Sequence, residues 1–493
     1  MKNLLVITAD HMRHDAIGCN GNAFVQTPNI DRLASGGVTF ANSFTPDPIC
    51  VPARASITTG CYPHRATGLK ANSGRIRDDV PKIAEHFAAA GFRTYAIGKL
   101  HYVPYAPPGE PRLLHGFGHA ELCEEGRILN QYDPEGKIEG LEDYHDYLKS
   151  VGWGGYERAH GVGNNDVHPS PSPVPAEHHE EAWVANRSMA ILKKHKTDHP
   201  GQPFFLWASF TKPHSPYDPP HDYARRYDPR DIPAPIGEPA SLEGRDRELE
   251  RRAKRYGWDR LSPEGVRLAR AYYYGLVTFH DEMVGRILQR LEDEGLADDT
   301  VVVYTADHGD LLGDFGRFFK TCFYDGAVKI PLIVRAPGAA PEGEVRDHLV
   351  GLQDILPTAC ALTGAPAVEG VDGMDLSDIL RNDITPGRDA YVAQTGGPPY
   401  QKYMIRTAQW KYIYCQEGPT EELYDVTRDP QELNNLAGNP AYHGQAERLR
   451  NDLVHWCIEH GDESMLDGGK LAETPPVEEE TTFNAGSMGW RWY

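Results

Sequence analysis

The run Cys50-Val51-Pro52-Ala53-Arg54-Ala55-Ser56-Ile57-Thr58-Thr59-Gly60 sets one cysteine two residues before a proline and four before an arginine. Pro52 fixes its own φ and biases Val51 toward an extended backbone, so Cys50 is expected at the start of a helix. The free N–H groups and positive dipole end of a helix suit an anion. Arg54, one turn on, adds a planar fork of donors that matches a tetrahedral oxyanion. The spacing therefore predicts a reactive group beside an anion cradle. A lone cysteine before a short helix is more often a small buried hydrophobe, so the prediction depends on what other segments bring.

Hydrolysis of an anionic ester needs a nucleophile, charge neutralisation and a proton donor for the leaving group. Five segments offer these: Asp10/His11, Cys50/Arg54, Lys99/His101, His214, and Asp307/His308 with Lys320. Asp10, Asp307 and His308 make a divalent-metal set, hard carboxylates with an imidazole. Such an ion would polarise ester oxygens and lower the pKa of a coordinated hydroxyl. His64, His86, His115, His178, His179 and His280 show no comparable pattern and are read as structural.

Most of these segments follow apolar runs. Residues 4–8, 94–97, 203–210 and 300–305 are continuous hydrophobic stretches, as in parallel strands buried on both faces. Ligands of open α/β sheets gather beyond the carboxyl ends of such strands. Asp10, Lys99, His214 and Asp307 each come within a few residues of one. Alternation along an extended segment would turn Lys99 and His101 to one side. Residues 38–44 read as the strand that delivers Cys50, and residues 330–334 as another buried strand.

Helices are expected over residues 27–34, 82–90, 177–194 and 267–291, the last two from their apolar stripes and the last ended by Gly295. Residues 103–174 lack a sustained period and are read as substrate-facing insertions. Residues 229–262 mix charges of both signs, which predicts a solvated helical face. Beyond about residue 370, short runs at 391–394, 403–407, 410–414 and 423–425 have hairpin-like spacing. The expected fold is α/β: a large mixed, mostly parallel sheet sandwiched by helices, with a smaller C-terminal antiparallel sheet. The expected division is a catalytic domain over residues 1–370 and a small α+β domain with a tail over 371–493.

At 493 residues the chain can bury a large core. Its net charge of −21 argues against a nucleic-acid partner. No apolar run reaches membrane-span length, and residues 4–7 enter the first strand without a signal-peptide layout. The eight cysteines have no paired spacing, so a reduced, cytoplasmic setting is expected. The aromatic end Trp490-Arg491-Trp492-Tyr493 is read as a docking arm, with a homo-oligomer as its implication; the plainer reading is a frayed terminus.

Cys-x-Pro-x-Arg followed by Thr-Gly resembles the signature of the type I, formylglycine-dependent sulfatases of the alkaline phosphatase superfamily. The resemblance extends over nearly the whole chain. It is nearest to the cytoplasmic bacterial choline-sulfatase and arylsulfatase branches and to the phosphonate monoester hydrolases. It implies an alkaline phosphatase-like fold, a sulfate monoester as substrate, and a maturing enzyme that converts Cys50 to formylglycine. Asp10, Asp307 and His308 then resemble the metal ligands, with the modified Cys50 completing the set. Arg54 resembles the arginine that steadies formylglycine, Lys99 the lysine that binds sulfate, and His101 the histidine that takes a proton from the diol. His214 and Lys320 resemble the pair that binds the ester and protonates the departing oxygen. Asn72 resembles a polar residue that reaches the ester in the phosphonate hydrolases. Leu423-Tyr424-Asp425 and residues 429–436 resemble the family's small domain.

One position departs from the pattern: His11 stands where many relatives carry Asp or Gln. Ca²⁺ is the first choice of ion because it prefers oxygen; a ligating His11 would favour Mn²⁺ or Zn²⁺. The leading expectation is a sulfuric ester hydrolase. A phosphonate monoester or phosphodiester hydrolase with the same nucleophile, and a non-catalytic binding protein on this scaffold, are the alternatives.

Overall fold

A computed structural model describes residues 1–242 and 244–478. Its centre is an eight-stranded sheet of β1 (Asn3–Asp10), β2 (Val38–Phe44), β3 (Arg93–Gly98), β4 (His119–Leu122), β5 (Phe204–Pro213), β6 (Thr300–Ala306), β7 (Leu332–Arg335) and β8 (Glu344–Gly351). Their spatial order is β4-β3-β5-β1-β6-β7-β2-β8. β1 lies parallel between β5 and β6, pairing Val6 with both Trp207 and Val303. All three strands are buried along their length, as their unbroken apolar runs require. β7 runs antiparallel to both its neighbours, so the sheet is mixed.

Helices Glu180–Asp198 and Pro263–Asp293 pack on each other and on β5. Helix Ile355–Thr363 lies on β1 and β6, and helix Cys50–Thr59 packs against it. A second sheet follows, formed by β9 (Ala390–Thr395), β10 (Lys402–Thr407), β11 (Trp410–Cys415) and β12 (Thr420–Asp425), an antiparallel meander. Period-two alternation divides its side chains between two cores. Val392, Tyr403, Ile405, Tyr412 and Leu423 join Leu449 and Leu453 of helix His443–Glu459. Ala393, Met404, Ile413 and Tyr424 join the main core.

Three expectations need correction. Residues 103–174 are not wholly irregular: they contain β4, which pairs with β3, and helices Arg127–Tyr132 and Asp143–Ser150. β4 has only four residues, too few for a period to show. β8 was not anticipated, because three of its first four residues are exposed, and charged Glu344, Arg346 and Asp347 interrupt any apolar run. Helix Arg247–Tyr256 is not merely solvated: Leu249 and Ala253 are buried, and Lys402 of β10 reaches Asp246 at 2.6 Å and Glu248 at 2.9 Å. The aromatic end at 490–493 lies outside the described residues. Among the described residues no helix is long and apolar enough to cross a membrane.

Candidate active site

β1 ends at Asp10, and the chain turns at once through His11 in the left-handed region, φ +63°. Tyr273 holds that turn, donating its hydroxyl to the His11 carbonyl at 2.8 Å. β6 delivers Asp307 and His308 on the adjacent strand. Cys50 is the first residue of its helix, as its spacing from Pro52 predicts, and Arg54 lies one turn on. Asn72 meets the same helix start, where its Oδ1 accepts the Val51 N–H at 3.1 Å. Its observed contact is therefore a helix cap.

Lys99 and His101 face this site, but through a turn rather than strand alternation. Gly98 has φ +101°, and a Cβ there would lie 1.9 Å from the Ser209 carbonyl oxygen, so only glycine fits. His101 is also left-handed, φ +57°. Glu124 fixes the turn by accepting the N–H groups of Leu100 and His101 at 2.8 and 2.9 Å.

Around Cys50 Sγ stand Lys320 Nζ at 3.0 Å, His308 Nε2 at 3.3 Å and Asp10 Oδ1 at 4.0 Å. Arg54 is wholly enclosed: Nε meets Asp307 Oδ2 at 2.9 Å, Nη2 meets Asp10 Oδ2 at 3.3 Å, and Nη1 donates to the Lys99 carbonyl and Ser209 Oγ. Lys99 Nζ bridges Asp10 Oδ2 and Glu125 Oε2, the latter at 3.0 Å. His214, after β5, has its ring centroid 4.1 Å from that of His11. All the expected site residues except Lys320, which is half-buried, and Asn72 are buried.

Hydrogen bonds assign the imidazole tautomers. His308 Nδ1 meets the Gly309 carbonyl at 2.9 Å and His214 Nδ1 meets that of Ser215, so both Nδ1 atoms carry the proton. His11 Nδ1 meets Asp310 Oδ2 at 2.9 Å, and the Tyr217 hydroxyl donates to that oxygen at 2.9 Å. His11 Nε2 touches Lys320 Nζ. The Nε2 lone pairs of His11 and His308 thus face inward.

Those atoms, with Asp10 and Cys50, form a donor set whose members all lie within 4.8 Å of one another. Carboxylate, two imidazoles and a residue at position 50 fit one divalent ion, and Asp310 behind His11 is the outer carboxylate such ligands commonly have. Asp307 stands beside the set, with Oδ1 3.7 Å from His308 Nε2 and holding the N–H groups of His11 and His308.

Burial alone would raise the Cys50 thiol, but Lys320, His308 and Lys99 outweigh it and hold it well below its usual value. Burial pushes His101 and His214 down to about 3, so both are neutral near pH 7. Burial would raise Asp10 too, yet Lys99 leads the groups that keep it ionised. Glu124, Glu125, Asp310, Tyr217 and Ser209 complete the surroundings and were missed in the sequence. Only Asp310, two residues beyond His308, carried any local signal.

A mostly parallel sheet that gathers a buried donor set and cations beyond the ends of its central strands is the arrangement of the alkaline phosphatase superfamily. Within it, the sulfatase family model matches residues 2–365, and the chain belongs to that family. A second model, N-sulphoglucosamine sulphohydrolase, C-terminal, matches residues 313–458. An arylsulfatase of Clostridium perfringens is 31% identical over 96% of this chain and 98% of its own length. A choline-sulfatase of Rhizobium meliloti is 30% identical over 89% and 83%. The phosphonate monoester hydrolase of Agrobacterium radiobacter aligns with TM-score 0.79 and 24% identity over 96% of this chain and 100% of that one, a likeness of fold. The protein is accordingly an enzyme, a hydrolase of sulfuric esters.

Proposed function

We propose that the enzyme cleaves a small sulfate monoester through a formylglycine made from Cys50 by a maturing enzyme. The observation that carries this reading is the position of Cys50: buried at a helix start, with Lys320 and His308 against its Sγ and Asp10 behind. Hydrated formylglycine supplies a geminal diol, one hydroxyl to attack sulfur and a second whose deprotonation releases sulfate without attack of water on sulfur. Arg54 and Lys99 neutralise the negative charge that develops there. His101, neutral and facing position 50, takes the proton of the second hydroxyl. Lys320 is the better proton donor to the leaving oxygen, because neutral His214 carries its proton on Nδ1, toward Ser215.

Asp10, His11, His308 and the residue at 50, with Asp307 beside them, would hold one divalent ion, which polarises the ester oxygens when bound. With His11 Nε2 turned inward, the expected ion moves from Ca²⁺ to Mn²⁺ or Zn²⁺. In this reading residues 1–370 form the catalytic unit and residues 371–493 the small one, of which β10 supports the Lys320 loop through Lys402.

Mass spectrometry of the Cys50 peptide, from a host with the maturing enzyme, tests the nucleophile. The expected result is loss of the thiol in favour of the aldehyde, with Cys50→Ala folded but without turnover. A persistent thiol in fully active enzyme would refute the mechanism. Rates on an aryl sulfate and an aryl phosphonate monoester address the substrate, and a strong phosphonate preference would overturn the sulfate reading.

A further inference from the structure

Glu125 arrives at the site from the 103–174 insertion, just beyond β4. Its backbone is left-handed, φ +55°, a costly conformation for a residue with a side chain. Neighbours hold it there: Asn164 donates its side-chain amide to the Glu125 carbonyl at 3.2 Å, and Ser215 Oγ donates to the Asn164 carbonyl at 2.6 Å. The Gly126 N–H is fixed by Glu142 at 3.2 Å.

The result is a carboxylate, 7% exposed, pressed into the catalytic cations. Oε2 accepts from Lys99 Nζ at 3.0 Å and from Arg127. Oε1 has no hydrogen-bond partner and lies 3.8 Å from His214 Nδ1. Although burial opposes ionisation, Lys99 and Arg127 keep this carboxyl well below its usual range. On its other side Glu125 lines, with Arg127, Glu142, Arg158 and Asn164, a cavity of about 800 Å³. Asp10 already neutralises Lys99, so Glu125 offsets the further positive charge of Arg127, which shares its Oε2. It lowers the positive charge that the site presents to a substrate.

We infer that Glu125 is a specificity-determining residue: its fixed negative charge matches the site to a singly charged ester and discriminates against doubly charged phosphate monoesters. Sulfate monoesters carry one negative charge, and phosphate monoesters carry two near pH 8. In a buried site of low effective dielectric, one extra like charge within several ångströms is a strong penalty. Specificity of this kind is built by repelling the competitor rather than by tightening on the preferred ligand.

The inference rests on the sulfatase reading, and the test separates the two. Metal-loaded wild type, Glu125→Gln and Glu125→Asp are compared at pH 8 on 4-nitrophenyl sulfate, 4-nitrophenyl phosphate and 4-nitrophenyl phenylphosphonate, which is singly charged. Glu125→Gln should raise the phosphate-to-sulfate ratio of kcat/KM at least about tenfold and leave the phosphonate-to-sulfate ratio within about twofold. Glu125→Asp, which keeps the charge, should stay near wild type. An unchanged phosphate-to-sulfate ratio, or a phosphonate ratio that rises in step with it, would overturn the inference. Should Glu125→Gln fail to fold, Glu125→Ser is read by the same ratios. Calorimetric binding of the sulfate and phosphate esters to Cys50→Ala gives an answer without turnover. The sulfate ester should bind more tightly there, and a phosphate preference would overturn the inference even if the catalytic reading held. An inactive mature enzyme that still binds the sulfate ester preferentially would remove the catalytic reading alone.

Discussion

His11 shows how much one side chain can alter a shared site. Its Nδ1 is committed to Asp310, which Tyr217 braces in turn, so Nε2 faces Asp10, Cys50 and His308. An imidazole fixed in this way is a borderline donor, better matched to Mn²⁺ or Zn²⁺ than to Ca²⁺. After dialysis against equal Ca²⁺, Mn²⁺ and Zn²⁺, wild-type protein should retain Mn²⁺ or Zn²⁺ by elemental analysis. His11→Gln offers an amide oxygen in place of the imidazole and should hold those ions about 10–100-fold more weakly, with Ca²⁺ retained. Unchanged metal content in the variant would remove His11 from the ligand set and leave it as the partner of Lys320.

At the scale of elements, the loop carrying Lys320 is fastened from the small sheet. Lys402 of β10 donates to the Thr321 carbonyl at 3.0 Å while paired with Asp246 and Glu248 at 2.6 and 2.9 Å. Lys402→Met would leave buried Asp246 without its lysine and Glu248 with Arg252 alone, at a cost of about 3–5 kcal/mol, and free the loop. Urea unfolding should show that loss, and kcat on an aryl sulfate should fall about tenfold as Lys320 drifts. Burial would raise the Glu248 carboxyl, but Lys402 and Arg252 lower it to about 2 from the ordinary 4.5. Its contribution to stability is therefore complete above about 4.5 and lost as pH falls toward 2. Lys402→Met should flatten this part of the acid limb. The central strands were legible because burial on both faces leaves an unbroken apolar run, and Cys50 because Pro52 marks a helix start. The Lys99–His101 turn was legible only in outcome, since the left-handed geometry of Gly98 and His101 leaves no period. Glu124 and Glu125 were hidden altogether, because a four-residue edge strand in a long insertion brings them to the site through pairing with β3.

For the molecule as a whole, the overall charge and the site oppose each other. The chain carries −21, yet Arg54, Lys99 and Lys320 gather at one point beyond the sheet. These cations act at short range, where screening by salt is weak, while an approaching anionic ester meets the wider negative field first. Added salt should therefore help this enzyme, screening the long-range repulsion more than the local attraction. Between about 10 and 150 mM NaCl, over which the Debye length shortens from roughly 30 to 8 Å, kcat/KM on an aryl sulfate should rise about twofold, with kcat almost unchanged. A neutral chloride-free osmolyte control separates screening from hydration effects. A fall in kcat/KM over the same range would mean that a cationic funnel at the mouth governs encounter, and that the acidic surface lies too far from the substrate's path to matter.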